Sequence, residues 1–256
     1  MAISLKKPEE IEILKSAGKR LAIVINEVGK AAVAGVSTNE LNDLAESLIR
    51  KEGDIPAFLH YKPQGAPRPF PASACISINN VVVHGIPNEN PQILKEGDIV
   101  SLDMGLVRKG LVVDATITVG VGHIDERAAS LIAVTKRALE RAIAAALPNN
   151  YVSDISNAIE ESVIGTGFSL AEEYGGHGVG YKVHEDPHVP NVTGFGKGAR
   201  LVPNMVLAIE PIVIEGKNRF VVDRDGYTVR TKDGSRSAQF EHTIVITNGK
   251  PVVVTA

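Results

Sequence analysis

The chain has 256 residues, enough for one large domain or two small ones around a sizeable core. A net charge of -3 with 44% hydrophobic residues is ordinary for a soluble globular protein and lacks the basic excess that a nucleic-acid substrate would demand. Apolar runs such as "MVLAI" and "IPAFL" fall far short of the roughly 20 residues a membrane span requires, and "MAISLKKPEE" lacks the apolar core of a signal peptide, so the expected compartment is the cytoplasm, with no membrane partner.

A lone cysteine, Cys75, excludes an intrachain disulfide and a multi-thiolate zinc site, so any metal would rest on imidazole and carboxylate ligands. In "SACISI" it reads as a small buried hydrophobe rather than a nucleophile.

In chain order, Ile11, Leu14, Ala17, Leu21, Ile25, Val28 and Ala32 recur at helical spacing, with Pro8 and glutamates at the start, which predicts a long amphipathic helix from Pro8 to Gly35. "STNELNDLAESLIRKEG" carries a Ser37-x-x-Glu40 capping box, an apolar stripe and Gly53 as terminator, the pattern of a shorter helix. "HYKPQGAPRPFPAS" reads as a surface lid or pocket rim. "CISINNVVVHGIP", "GDIVSLDMGLVRKG" and "LVVDATITVG" are rich in Val and Ile, punctuated by Gly, Pro and Asn, and predict strands. The order then restarts. "DERAASLIAVTKRALERAIAAALP" is a long helix with Asp125 as N-cap and Pro148 as stop, "VSDISNAIEESVIGTG" a shorter one, and "NMVLAIEPIVI" and "SAQFEHTIVITNG" close the chain as strands. Leu41 and Gly53 in the first short helix are echoed by Ile155 and Gly167 in the second, a faint internal duplication with halves at about 8–122 and 123–256 and a site expected at their junction.

Four acids interrupt apolar strands: Asp103, Asp114, Glu210 and Glu241. Alternation along a strand would put any one of them on a solvated face. Four together, with no arginine or lysine among their apolar neighbours, call for shared compensation, because a buried carboxylate must be paired, protonated or coordinated. Divalent cations supply it, and carboxylates with imidazoles suit Mn, Fe, Co or Zn. "MGLVRKGLVV" between Asp103 and Asp114 fits two antiparallel strands about an Arg108-Lys109-Gly110 turn, which can set the two acids side by side.

The run "YGGHGVGYKVHEDPH" holds three histidines. His177, between Gly176 and Gly178 so that backbone and ligand can approach closely, is the natural imidazole ligand. His184 reads as a nearby hydrogen-bond or proton donor, and His84 in "VVVHGIP" as a residue of the site's rim. Singly, each is more often structural or exposed, and His60, His123 and His188 receive only that reading.

These motifs resemble the type I methionine aminopeptidases. "VVVHGIP", "LKEGDIVSLDMG", "VVDATIT", "GGHGVGYKVHEDP", "LAIEP" and "SAQFEHTIVIT" occur in that family's order over nearly the whole chain. The resemblance implies a single α+β catalytic domain over 1–256 with the pita-bread fold: two pseudo-symmetric halves and a mixed, mainly antiparallel curved sheet covered by helices. It implies a two-metal site, with Asp103 chelating one ion, His177 and Glu210 on the other, and Asp114 and Glu241 bridging. Glu210 would be the general base, His184 a stabiliser of the oxyanion and His84 a donor near the leaving nitrogen. Phe70, Cys75 and Tyr61 fit the methionine pocket, whereas Val183 and Tyr227 stand where many members carry bulkier Phe and Trp, and Phe58 where a smaller residue is common. Asn79, Val81 and Ser237 match positions that hold a monovalent cation.

The implied substrates are nascent polypeptide N-termini with a small second residue, met by a monomer in transient contact with the ribosome. Met1-Ala2 obeys that rule, so the mature chain is expected to begin at Ala2. The segment from Lys217 to Arg236 is the candidate docking surface, against the blander reading of a solvated hairpin. Prolidases and their relatives carry an extra N-terminal domain for which the position of Asp103 leaves no room, and the long insertion of type II enzymes is not evident. The alternative of another class is a catalytically inactive peptide-binding or ribosome-associated module on the same fold; such proteins lose ligands, and all five are present.

Overall fold

The computed structural model describes residues 3–256, so the expected processing at Met1-Ala2 lies outside the described residues. Local signals set the four helices of the described residues. In α1 (Pro8–Ala31), Pro8 opens the first turn and the Lys7 N–H donates to Glu10 Oε2 at 2.7 Å. The helix stops short of the expected Gly35, because Ala32 leaves the helical conformation and the chain turns; Gly35, at φ +94°, serves that turn. In α2 (Thr38–Arg50) the capping box forms as read: Glu40 N donates to Ser37 Oγ at 3.2 Å and Ser37 N to Glu40 Oε2 at 2.8 Å. In α3 (Glu126–Ala145), Ala128 N donates to the Asp125 carboxylate at 2.8 Å; α4 (Val152–Val163) follows.

Between the helix pairs lie β1 (Ile55–Pro56), β2 (Cys75–Ile78), β3 (Val81–Val83), β4 (Ile99–Arg108) and β5 (Leu111–Gly120). After α4 come β6 (Ser169–Leu170), β7 (Gly175–Gly178), β8 (Glu185–Pro190), β9 (Val206–Ile209), β10 (Ile212–Ile214), β11 (Phe220–Val222), β12 (Val229–Thr231), β13 (Ser237–Gln239), β14 (Glu241–Val245) and β15 (Val252–Val253). A nine-stranded sheet runs β1-β4-β5-β14-β9-β7-β8, with β2 also on β4 and β15 on β14; two three-stranded sheets, β13-β10-β6 and β11-β12-β3, complete the fold. Each pairing of the large sheet is antiparallel.

The β4–β5 hairpin turns on Lys109 and Gly110 alone, with Arg108 still paired to Leu111. Both turn residues have positive φ, +50° and +80°, the backbone that matches the twist of a two-residue hairpin. The two closing strands are interrupted where the sequence suggested continuity. Glu210 and Pro211 separate β9 from β10, and Phe240 separates β13 from β14, yet the ladder keeps its register across the gap, from Val245↔Val206 through His242↔Ile209 to Ile212↔Gln239. The proline cannot donate a ladder hydrogen bond, so the break falls beside Glu210.

Helices α1 and α2 close one core on the large sheet through residues such as Leu14, Leu21, Leu41, Leu102, Met104 and Val113. Helices α3 and α4 close a second through Leu131, Ile155, Leu207, Ile209 and Ile244. Each large apolar side chain so buried contributes about 1.5–3 kcal/mol. No helix of the described residues is long and apolar enough to cross a membrane.

Candidate active site and metal centre

Alternation along the strands decides which side chains meet. On β4, Val100, Leu102, Met104 and Leu106 are fully buried in the core under α1, so Asp103 and Gly105 turn to the other face. On β5, Val113 and Ala115 turn to the helix and Asp114 and Thr116 away from it. That second face is not solvated. It is a polar layer packed on β13, where Thr118 Oγ1 donates to Gln239 O at 2.7 Å and accepts from Gln239 N at 2.9 Å, and it opens into a cavity of about 430 Å³.

Register then gathers the acids. Cys75, Asp103, Thr116 and Glu241 lie opposite one another across β2, β4, β5 and β14, and the next step of the β9–β10 ladder brings Glu210 opposite Glu241. A parallel row two residues away along the strands holds Asp114, opposite Gly105, and His177, opposite Ala208, which in turn faces Thr243. Thr243 ties the row together by accepting from Asp114 N and donating to Asp114 O, both at 2.8 Å. Ligand atoms of Asp114, His177 and Glu241 all lie within 4.8 Å of one another, and His177 Nε2 stands 3.6 Å from Glu210 Oε1.

This donor set fits divalent cations. Asp103 Oδ1, Asp114 Oδ1 and Glu241 Oε1 are buried carboxylate oxygens without a hydrogen-bond partner. No lysine or arginine stands among the described residues that line the cavity. Burial pushes Asp103 up to about 7. Burial first, and then the charges of its acidic neighbours, drive Asp114, Glu210 and Glu241 well above the ordinary carboxylate range. Four carboxylates so placed ionise together only beside added positive charge. His177 is prepared for the same partner: burial holds it down to about 3, so its ring is neutral, and its Nδ1 lies 2.9 Å from Gly178 O. Donation there leaves the Nε2 lone pair facing the acids, the orientation of a metal-ligating imidazole.

The other residues read from the sequence line the same cavity: His84, His184, Tyr61, Phe70, Cys75, Val183, Tyr227 and Phe58. His84 follows β3 in the left-handed region at φ +59°, a backbone outlier for a non-glycine residue, and its ring meets Tyr174 edge-on at 6.5 Å. Burial holds its pKa down to about 4. The His184 ring stands 4.5 Å from that of His177, at 74°, with Tyr61 Oη 3.0 Å from its Nδ1. Phe70 and Tyr227 pack edge to face at 5.2 Å, and Tyr227 Oη donates to Arg68 O, fixing the proline-rich rim. Phe58 fills the space beside Gly105 that any larger residue would need.

The sequence signature of metallopeptidase family M24 matches residues 12–248, covering all five candidate ligands. The chain belongs to this family. Within M24 it is 46% identical to a methionine aminopeptidase of Aquifex aeolicus, over all of this chain and 99% of the relative. The crystal structure of a methionine aminopeptidase from Thermotoga maritima superposes with a TM-score of 0.93 at 43% identity, covering 99% of each chain. A prolidase from Pyrococcus furiosus shares the fold alone, with a TM-score of 0.73 at 22% identity over 98% of this chain and 65% of its own. These M24 neighbours establish the pita-bread fold and place the chain among the methionine aminopeptidases.

One reading of the histidine motif needs correction. The glycines beside His177 serve strand contacts rather than ligand access: a Cβ on Gly176 would strike Ala208 O, and one on Gly178 would strike Asp186 O. His60, His123 and His188 are exposed, in keeping with the plain reading, although His188 also lines the cavity rim opposite His177 in the β7–β8 ladder. Tyr174 and Gln239 also line the cavity and were missed. Tyr174 opens the histidine run, and Gln239 stands two residues before Glu241, so proximity to a motif was the available signal.

Proposed function

We propose that this M24 chain hydrolyses the peptide bond after an N-terminal methionine when the second residue is small and uncharged, acting on nascent polypeptides as a cytoplasmic monomer. One observation carries the reading: the hard donors Asp103, Asp114, His177, Glu210 and Glu241 share a single cavity with His84 and His184 and with an apolar pocket of aromatic rings. The inactive-module alternative finds no support, since no ligand is lost. Residues 8–122 and 123–256 are taken as the two halves of one catalytic domain.

Asp103 would hold one divalent ion, His177 and Glu210 a second, and Asp114 and Glu241 both; Co, Mn, Fe and Zn all suit these donors. Such ions, when bound, supply Lewis acidity that polarises the scissile carbonyl and acidifies water. The chain's own groups do the rest. Gln239 Nε2 donates to Glu210 Oε2 at 3.0 Å and holds that carboxylate, leaving Oε1 on the His177 side to receive the proton of the attacking water. The Tyr61 hydroxyl stands 3.0 Å from His184 Nδ1; by donating there it would keep the Nε2 proton of that ring available for the developing oxyanion. His84 donates toward the leaving amide nitrogen. The thioether settles against Phe58, Phe70, Cys75, Val183 and Tyr227, polarisable partners for sulfur.

A monovalent cation would sit among Asn79, Val81 and Ser237, which are adjacent: Ser237 N donates to Asn79 O at 2.9 Å and its hydroxyl to Val81 O at 3.0 Å. For the ribosome, the segment from Lys217 to Arg236 offers less free charge than its sequence suggested. Arg230 is paired with Asp223 at 2.7 Å, and Arg236 with Glu215 at 2.8 Å and Asp125 at 2.6 Å. That favours the solvated hairpin.

The test is methionine release from Met-Ala-Ser and Met-Leu-Ser by metal-stripped protein, with Mn, Co, Fe or Zn restored singly, in wild type and His177→Ala. Metal-dependent cleavage of the first peptide only, lost in the variant, is expected; cleavage of neither with any metal would sink the reading.

A further inference from the structure

Lys6 is an unusual residue for a position so near the chain's start. Its side chain is 1% exposed, and its ammonium lies 2.8 Å from Glu185 Oε2, itself only 11% exposed. Buried ammonium groups are rare and occur with their compensation in place. Here the compensation is complete. Lys6 Nζ donates to Ser4 Oγ as well as to Glu185, the Ser4 hydroxyl donates to the same Glu185 oxygen, and the Tyr181 ring covers the ammonium at 4.2 Å from its centroid. Lys6 N donates to Asn204 O at 2.9 Å, which fixes the segment just before β9.

The other carboxylate oxygen of Glu185 does a second task. Glu185 Oε1 accepts from the backbone N–H groups of Tyr181 and, at 2.9 Å, Lys182, closing the turn that carries Val183 and His184. The base of that turn is tied to the hairpin by Val112 N donating to Gly180 O at 2.7 Å, and any Cβ on Gly180 would run into the Lys6 stem. Tyr181 Oη reaches Glu10 in the first turn of α1 at 2.7 Å. The segment 3–6 is therefore a strap across the back of the loop that presents His184 to the cavity.

The geometry points to Lys6 as a positioning residue for His184: its ammonium clamps Glu185, and Glu185 shapes the turn that aims the imidazole. The inference rests on the reading of His184 as an oxyanion donor. Remove the ammonium, and Glu185 loses its buried partner, the turn loosens, and His184 meets the reacting carbonyl less often. Because the loss falls on a group acting in the transition state, it belongs in kcat rather than KM.

The experiment compares Lys6→Met, His184→Ala and the double variant, Mn-loaded, on Met-Ala-Ser, and follows amide hydrogen exchange at Tyr181 and Lys182. Lys6→Met is expected to lower kcat about tenfold at nearly constant KM, and to add little in the His184→Ala background, the non-additivity of two residues acting as one unit. Exchange at both amides should quicken. An undiminished kcat, an equal further loss in the His184→Ala background, or unchanged exchange would each overturn the assignment. Where Lys6→Met does not fold, Lys6→Met/Glu185→Gln removes both buried charges together and carries the same expectations. If wild type releases no methionine, the proposed reaction falls, while the exchange measurement still decides whether Lys6 holds the turn.

Discussion

Metal-stripped protein should become less stable as pH rises from 6.5 to 8, against the usual trend for a protein that unfolds in acid. Asp103 is raised by burial from 3.8 to about 7, and Asp114, Glu210 and Glu241 are raised well above the ordinary carboxylate range by burial first and then by the charge of neighbouring acids. A carboxyl whose folded pKa exceeds its unfolded value binds its proton more tightly in the native state. Its contribution is full below the unfolded pKa and is lost as pH climbs through the folded one. His177 and His84, held down to about 3 and about 4, and His184 and His242, also lowered by burial, work with the opposite sign; the unfolded chain sheds these protons around pH 6.5, so their effect fades over about one unit above it. Above about pH 7.5 the acids act alone. Each carboxyl still protonated at pH 8 removes about 2 kcal/mol over that interval, at about 1.4 kcal/mol per pH unit. For a chain of this size that is about 4–8 °C in Tm for each such group. Calorimetry of stripped protein at pH 6.5, 7.2 and 8 reads the slope, and millimolar Mn should flatten it by compensating the ionised acids. A Tm that holds or rises with pH in the stripped protein would refute the electrostatic account of the site.

Asp114→Asn should raise the Tm of stripped protein at pH 8 while weakening Mn binding by more than about 100-fold in calorimetric titration, since even residues that only orient ligands are worth 10–100-fold; unchanged affinity would remove Asp114 from the ligand set. Tyr61→Phe deletes the hydroxyl 3.0 Å from His184 Nδ1 and should lower kcat about 2–10-fold, the worth of one neutral hydrogen bond, with KM unmoved in steady-state assays. Gly178→Ala forces a Cβ onto Asp186 O between β7 and β8 and should destabilise by about 1–3 kcal/mol in urea unfolding; a neutral effect would mean that the two strands separate without strain.

Local chemistry was legible in the sequence. The Ser37-Glu40 box and the Asp125 cap depend on residues a few positions apart and formed where their patterns predicted, and the Arg108-Lys109-Gly110 turn formed one residue tighter, on Lys109 and Gly110. The acids Asp103 and Asp114 were legible as a pair for the same reason, with their hairpin fixing the register. The Pro8 helix ended early because its apolar repeat runs on to Ala32 while the backbone has already turned at Ala32. What period two could not tell was whether the second face of β4 and β5 met water or another layer, since that depends on where β13 packs. Nor could it show that the strand holding Glu210 breaks at Pro211 while its ladder continues. Lys6 was invisible for a further reason: a lysine among "SLKKPEE" looks like any surface lysine until Glu185, far along the chain, closes over it.

The register that is kept across the gap at Glu210 and Phe240 sets a limit on how the centre can respond to its occupant. Adjacent strands stand about 4.8 Å apart because their backbones are hydrogen-bonded, whatever ion is nearby. Donors mounted on β4, β5, β7 and β14, and on Glu210 just past the end of β9, are thus spaced by a lattice built before any cation arrives. A larger or smaller ion cannot draw the strands with it; it must accept the distances offered, through side-chain rotation alone. Exchanging one metal for another should change occupancy and rate while leaving the backbone superimposable, and the energy that crowds four carboxylates together is drawn from folding the sheet rather than from binding the ion.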